Sequence, residues 1–266
     1  MLICYPDVPK RAIETKSSRT YQEGYSYRNL ITGRRYQYAI ATAGTSGTIQ
    51  LQFDLGDGTS SGNVRYIIVG DAKRLIDAGT TTFKLDSNSD GIDGTYSNEW
   101  TDSSVSSATL YGIDSRDYFQ LELGLSSKRC WRFELTGGLV TERAFTKLFF
   151  GGSISFSQKP SSYDWEYITP DSLTFISESG DSDIRRSKKS IYRFNIGWQG
   201  LTSTDIYNFQ SKVSVNADTD SFYLITDENH AILNDFRCVH VRLKDYSISR
   251  VENDWYELST TWEEEV

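Results

Sequence analysis

The chain has 266 residues, of which 38% are hydrophobic, 14% aromatic and 24% charged. This composition is too apolar for a disordered protein and too polar for a membrane protein, and no apolar run approaches the roughly 20 residues that cross a bilayer. The formal net charge is −8, and all of it falls after residue 155, which disfavours nucleic acid as a partner of the C-terminal half.

The sequence contains few of the histidine and cysteine side chains that bind zinc or form disulfides. Only two histidines and three scattered cysteines occur, without CxxC or HExxH spacing, so a structural zinc site and a disulfide framework are not expected. The sequence also lacks a P-loop, a GxGxxG turn and a GxSxG turn. We therefore predict a protein that is not an enzyme, needs no cofactor and works in a reducing compartment.

Residues 1–40 are predicted to form an N-terminal arm. Tyrosines alternate with arginines here, a mixture typical of recognition surfaces, and basic residues exceed acidic ones. Such an arm would suit head-to-tail contact between a basic segment and the acidic half of another copy. An equally good interpretation is that this segment supplies the first strands of a sandwich.

Residues 41–151 show the two-residue alternation of half-buried strands. The clearest case is 48–55, where Ile49, Leu51, Phe53 and Leu55 share one face. A short helix is predicted at 71–78. Short strands separated by turn signals indicate an all-β sandwich or barrel. The predicted strands are 48–55, 64–69, 80–85, 118–123, 130–135 and 147–150.

The string Leu51-Gln-Phe-Asp-Leu-Gly56 resembles the L-x-(I/F)-D-L-G strand of galactose-binding-like, or discoidin-type, jelly rolls. The hairpin Ser87–Gly91, the strand Tyr118–Leu121 and the segment Arg129–Phe133 match later parts of that pattern. The resemblance implies a jelly-roll β-sandwich over about residues 40–155. It also implies that ligands bind at loops on one end of the sandwich.

Residues 152–266 are predicted to form a second, smaller β-rich domain with one helix. The helix, at about 202–214, begins with a capping-box pattern at Thr202 and Asp205, and Ile206, Phe209 and Val213 share its apolar face. The segment 181–189 is predicted to be a charged hairpin loop. Strands are predicted at 165–168, 172–176, 191–198, 221–225, 238–243 and 255–262.

The order of these elements resembles the C-terminal domain of tailed-phage distal tail and minor tail proteins. The similarity rests on the segment Gln199–Asp205, where the helix begins, and on the last hairpin, Tyr246–Leu258. The resemblance implies a structural component of a tail tip or baseplate. Such a protein would self-assemble into a ring, connect the tail tube to other tail proteins or receptor-binding parts, and assemble in the host cytoplasm into the virion tail.

Two sets of residues are candidate binding sites. Tyr96, Trp100 and Tyr111 flank a serine-rich loop and could stack on sugar rings, although aromatic packing beneath a long loop explains them as well. Asp86, Asn88 and Asp90 match the first half of a calcium loop, D-x-N-x-D-G. The expected bidentate glutamate position holds Ser97, and a polar hairpin tip is the competing interpretation.

The sequence therefore predicts an all-β protein, with an arm at 1–40, a jelly roll at 41–151 and a β domain at 152–266. The leading hypothesis is a self-assembling phage-tail structural protein. The alternative is a carbohydrate-binding or adhesion module. Neither hypothesis includes nucleic-acid binding or membrane insertion.

Overall fold

The computed structural model contains two compact units. Unit 1 comprises residues 1–155 and 223–239, and unit 2 comprises residues 156–222 and 240–266. The structure describes residues 1–18, 27–30, 39–40, 48–59, 64–70, 80–103, 110–111, 118–125, 127–137, 144–145, 147–168, 173–176, 182–185, 191–225, 238–252 and 254–265.

Unit 1 is a β-sandwich, as the jelly-roll prediction requires. Its first sheet is antiparallel, in the order β2-β4-β10-β6-β7. The alternation in β4 predicted this sheet, because every second residue points into the core. The strands are β2 (Glu14–Ser17), β4 (Thr48–Asp54), β6 (Thr80–Asn88), β7 (Ser97–Asp102) and β10 (Cys130–Gly137).

The second sheet of unit 1 has the order β17-β1-β12-β5-β9-β8. Phe150 from this sheet packs against Phe53 and Trp131 of the first sheet, with ring centroids 5.5 and 5.9 Å apart. These fully buried rings form the sandwich core. The strands are β1 (Leu2–Asp7), β5 (Val64–Gly70), β8 (Leu110–Tyr111), β9 (Tyr118–Leu125), β12 (Lys147–Ile154) and β17 (Phe222–Ile225).

The start of the chain differs from the predicted arm. Residues 2–17 supply β1, the single-turn helix α1 (Val8–Arg11) and β2, which are integral parts of unit 1. Ile3, Cys4 and Val8 are buried, so apolar burial holds this segment in the sandwich. Later in the chain, the short strand β3 (Ala39–Ile40) pairs with β11 (Ala144–Phe145).

Unit 2 is the smaller β domain that the sequence predicts. Its antiparallel strands follow the order β13-β16-β19-β18. A separate hairpin pairs β14 (Leu173–Ile176) with β15 (Ser182–Arg185), so part of the predicted charged loop is strand. The sheet strands are β13 (Ser162–Ile168), β16 (Ile191–Leu201), β18 (Cys238–Glu252) and β19 (Trp255–Glu264).

The predicted helix is confirmed as α2 (Ser203–Lys212), packed on one face of this sheet. Its capping box is complete, because the Asp205 amide donates to Thr202 Oγ1 at 3.2 Å and the Thr202 amide donates to the Asp205 carboxylate at 2.9 Å. Ser157 adds bonds of 2.5 and 3.0 Å to that carboxylate. Burial acts to raise the pKa of Asp205, but the bonds from Ser157 and Thr202 prevail and lower it.

The fold class is therefore as predicted, an all-β protein with a jelly-roll sandwich and a smaller β domain that carries one helix. The predicted boundary at 151/152 lies close to the observed one, but residues 223–239 return to unit 1. The short helix predicted at 71–78 lies outside the described residues. No helix of the described chain is long and apolar enough to cross a membrane.

Candidate functional site

The outer face of the first sheet of unit 1 brings two of the predicted site residues, Asp86 and Tyr96, together around Arg132. Cross-strand register places Arg132 on β10 opposite Asp86 on β6. The Arg132 Nη2 and Nε atoms donate to Asp86 Oδ2 at 2.6 and 3.0 Å. Lys84 Nζ lies 3.1 Å from the same oxygen, and Asn98 Nδ2 donates to Oδ1 at 3.1 Å. The fully buried Asp86 carboxylate is thus bound by two cations and an amide.

The other two calcium candidates have different environments. Asn88 Oδ1 accepts the backbone amides of Asp90 and Gly91 at 2.9 and 3.2 Å, which caps the turn after β6. Asp90 is exposed. Among the described residues no group of three or more His, Cys, Asp or Glu side chains is arranged to hold a metal ion. Calcium binding stays a prediction, and it would require the Asp86 carboxylate to exchange its cations for the ion.

Of the three aromatic candidates, Tyr96 and Trp100 have different environments, and sugar binding by this set stays a prediction. The Tyr96 ring lies over Arg132, whose guanidinium carbon is 4.6 Å from the ring centroid, and its hydroxyl donates to the Ile92 carbonyl at 3.1 Å. Burial raises the pKa of Tyr96. Trp100 is half-buried and packs against the sandwich core. Tyr111 lies in β8 opposite Tyr118, and its side chain is outside the description.

A second ion pair closes the end of this polar face. Arg129 donates to both carboxylate oxygens of Asp54 at 2.8 Å and also contacts the exposed Asp57. The hydrogen bonds from Arg129 lower the pKa of Asp54 to about 2. The neighbouring Cys130 thiol has its pKa raised to about 12 by burial and by Asp54. Arginines of the same unit therefore bind the buried carboxylates on the outer face of unit 1.

Unit 2 carries an exposed set of aromatic side chains outside the sites predicted from the sequence. Tyr163, Trp165 and Tyr167 alternate along β13, and the register places Trp165 opposite Phe194 and Tyr167 opposite Tyr192. We define Tyr163, Trp165, Tyr167 and Tyr192 as the aromatic strip. The Tyr192 ring lies 5.7 Å from Trp165 and 5.0 Å from Tyr167, between ring centroids.

The aromatic strip is accessible and well supported. Trp165 is 46% exposed and Tyr167 is 58% exposed, so both rings can be reached from solvent. On the opposite face of the same strands, Arg193 bridges Glu166 and Glu263 at 3.1 and 2.8 Å. These ion pairs tie β13 to β16 and β16 to β19. Ion pairs on the opposite face of the sheet therefore hold together the strands that carry the aromatic strip.

The face of the unit 2 sheet opposite the strip contains a groove of about 280 Å³. Register across the four strands aligns Asp164, Asn195, Thr261 and Asp245 in one row. The adjacent row is Ser162, Gly197, Ser259 and Ser247. We call these two rows the polar groove. Both aspartates are exposed, and the small residues of the second row leave a depression beside the first row.

One buried hydroxyl–imidazole contact in unit 2 bears on catalysis. Ser221 Oγ lies 2.8 Å from His240 Nε2, and Glu265 Oε2 lies 3.6 Å from the same nitrogen. A nucleophilic triad needs the hydroxyl and the carboxylate on opposite ring nitrogens. Because both groups meet at Nε2, this contact does not have the geometry of a triad.

The strip left a trace in the sequence, whereas the groove did not. The alternation Tyr163-Asp-Trp-Glu-Tyr167 predicts a strand with an aromatic face, but a strand placed at 165–168 omits Tyr163. The groove has no local signature. Its two rows come from four strands whose alignment depends on register, which one sequence does not reveal.

No family model and no curated protein match the chain. Solved structures give partial similarities. A family 29 fucosidase from Ruminococcus gnavus, solved with fucose, has 13% identity and a TM-score of 0.43 over 56% of this chain and 27% of that enzyme. The chain thus spans about a quarter of the fucosidase's length.

Two binding modules show similar values. The fifth CBM32 module of a Clostridium perfringens family 89 enzyme, solved with GalNAc-β-1,3-galactose, is 12% identical with a TM-score of 0.43 over 55% of this chain and all of the module. The CBM62 module of Clostridium thermocellum Xyl5A is 15% identical with a TM-score of 0.37 over 57% of this chain and all of the module.

Proposed function

We propose that this protein is a non-catalytic carbohydrate-binding module, the alternative that the sequence analysis offered. The observation that carries the proposal is the aromatic strip, where Trp165 and Tyr167 present exposed rings side by side on one strand. Aromatic faces stack on the apolar faces of sugar rings, and their polar edges hydrogen-bond to hydroxyls. Tyr192 backs both rings, so little side-chain freedom is lost when a ligand binds.

The test is a glycan array screen with the full chain, followed by calorimetric titration of the strongest hit. Trp165→Ala is expected to weaken binding about tenfold, since a stacked aromatic contributes about 1.4 kcal/mol. Trp255→Ala is a matched control, because Trp255 is also half-exposed in unit 2, at 49% against 46%. An array without hits, or equal losses from both variants, would contradict the proposal.

A second candidate is the phage-tail structural protein that the sequence resembles. It is favoured by the β18–β19 hairpin, where all described residues from 244 to 257 are exposed or half-exposed. Val251 and Trp255, at 57% and 49% exposure, give this hairpin apolar contact area suited to another copy. In this hypothesis copies form a ring within a virion tail, assembled in the host cytoplasm with other tail proteins.

Sedimentation velocity over a concentration series separates the two candidates. Assembly through the hairpin predicts an oligomer that Trp255→Ala dissociates and Trp165→Ala leaves intact. Carbohydrate binding predicts that Trp165→Ala weakens glycan affinity and that Trp255→Ala leaves it unchanged. A wild-type chain that stays monomeric at high concentration would count against the structural hypothesis.

A further inference from the structure

We infer that the polar groove of unit 2 is a binding site for a short oligosaccharide that contains amino sugars with free amines. It is separate from the aromatic strip, because Ser162 and Asp164 alternate along β13 with Tyr163 and Trp165 and so lie on the opposite face. This inference goes beyond the proposed function. It adds a second site and names the chemistry of its ligand.

The shape of the groove depends on its small residues. Gly197 forms the floor, and a Cβ atom added there would lie 2.5 Å from Ser162 Oγ. Ser259 and Ser247 continue the low row across β19 and β18. The four strands span roughly 14 Å, and the volume of about 280 Å³ is at the small end of ligand sites. These dimensions fit a short oligosaccharide.

Most residues that line the groove provide hydrogen-bonding groups. Thr261 Oγ1 donates to Asn195 Oδ1 at 3.0 Å, which fixes the amide so that its Nδ2 is the donor offered to a ligand. Serine hydroxyls can both donate and accept, as sugar hydroxyls do. The lining therefore matches a polyhydroxylated ligand better than an apolar one.

The charge of the groove specifies the ligand further. Asp164 and Asp245 stand at opposite ends of the first row, on β13 and β18. Tyr246 donates its backbone amide to Asp245 Oδ1 at 2.8 Å, which orients that carboxylate. Two carboxylates at the ends of a hydroxyl-lined groove attract protonated amines at that spacing. An oligosaccharide with free amines satisfies both features, whereas its N-acetylated counterpart satisfies only the hydroxyls.

The experiment is calorimetric titration of the full chain with glucosamine tetramer and with its N-acetylated form at pH 6. We expect the free-amine tetramer to bind about tenfold tighter, with affinity that falls as salt rises. Asp164→Asn and Asp245→Asn should each weaken it about fivefold, and Trp165→Ala should not. Gly197→Ala should weaken both tetramers, because it fills the floor while Ser162 can rotate away.

Asp254→Asn is the matched control, since it removes the same charge from an exposed residue in unit 2. Asp254 has a φ of 75°, a conformation that asparagine tolerates well. Equal losses from Asp254→Asn would reduce the effect to overall charge and overturn the inference. Equal affinity for the two tetramers, or displacement by a lysine-rich peptide at the same concentration, would also overturn it. Loss of strip binding in Trp165→Ala with the groove intact would leave the inference standing.

Discussion

The outer faces of the two sheets both carry polar side chains, but their carboxylates differ in burial. On unit 1, the Asp86 and Asp54 carboxylates are bound by Arg132 and Arg129 and almost fully buried. On unit 2, Asp164 and Asp245 are exposed across a groove. A polar sheet face is therefore not by itself evidence for a ligand. What distinguishes these two pairs of carboxylates is burial, since Asp86 and Asp54 are enclosed with their arginines while Asp164 and Asp245 are open to solvent.

The largest expected effect that tests this difference is on stability. Asp86→Ala leaves Arg132 and Lys84 close together without their shared carboxylate. Because Arg132 and Lys84 are 21% and 28% exposed, water offsets part of the cost of losing their partner, and we expect the free energy of unfolding measured with urea to fall by about 3 kcal/mol. Asp90→Ala, on the exposed turn, should change it by less than about 0.5 kcal/mol. Similar values for both variants would show that the ion pairs do not hold this face.

The next effect concerns acid stability. The pKa of Asp54 is about 2 in the folded chain, below its unfolded value of about 3.9. Its contribution is therefore complete above about pH 4 and is lost as the pH falls toward about 2, and it amounts to about 2 kcal/mol. Urea unfolding of wild type and Asp54→Asn at several pH values should show the difference in stability shrinking over that window. A constant difference would contradict the role of Arg129.

The smallest effect is expected in unit 2. Asp164→Asn should alter the free energy of unfolding by less than about 0.5 kcal/mol, because an exposed groove carboxylate contributes little to folding. Urea unfolding measures this directly, with Asp86→Asn in unit 1 as the contrasting variant. A loss of several kcal/mol in Asp164→Asn would make the groove a structural feature like the face of unit 1.

The predictable parts of this molecule are those with local patterns. Alternation at Ile49, Leu51 and Phe53 predicts β4, and the Thr202–Asp205 capping box predicts α2. Both depend on neighbours within one element. The all-β sandwich or barrel follows from a series of such strands separated by turns, and the jelly roll is what the family resemblance implies.

The function of Asp86 was not predictable in the same way. Its principal partner, Arg132, is 46 residues away in sequence and becomes adjacent only through the β6–β10 register. A D-x-N-x-D-G string therefore suggested calcium, while the folded chain supplies two cations of its own. The groove was not predictable for the same reason, because its rows form only when four strands pair in this register.

The burial of Cys4, Cys130 and Cys238 has a practical consequence. Burial raises the pKa of each thiol, so all three stay protonated and shielded from thiol reagents at neutral pH. A single cysteine introduced at an exposed position such as Ser162 would therefore react alone. The native chain can carry a fluorophore at the rim of the polar groove without removal of any of its own cysteines.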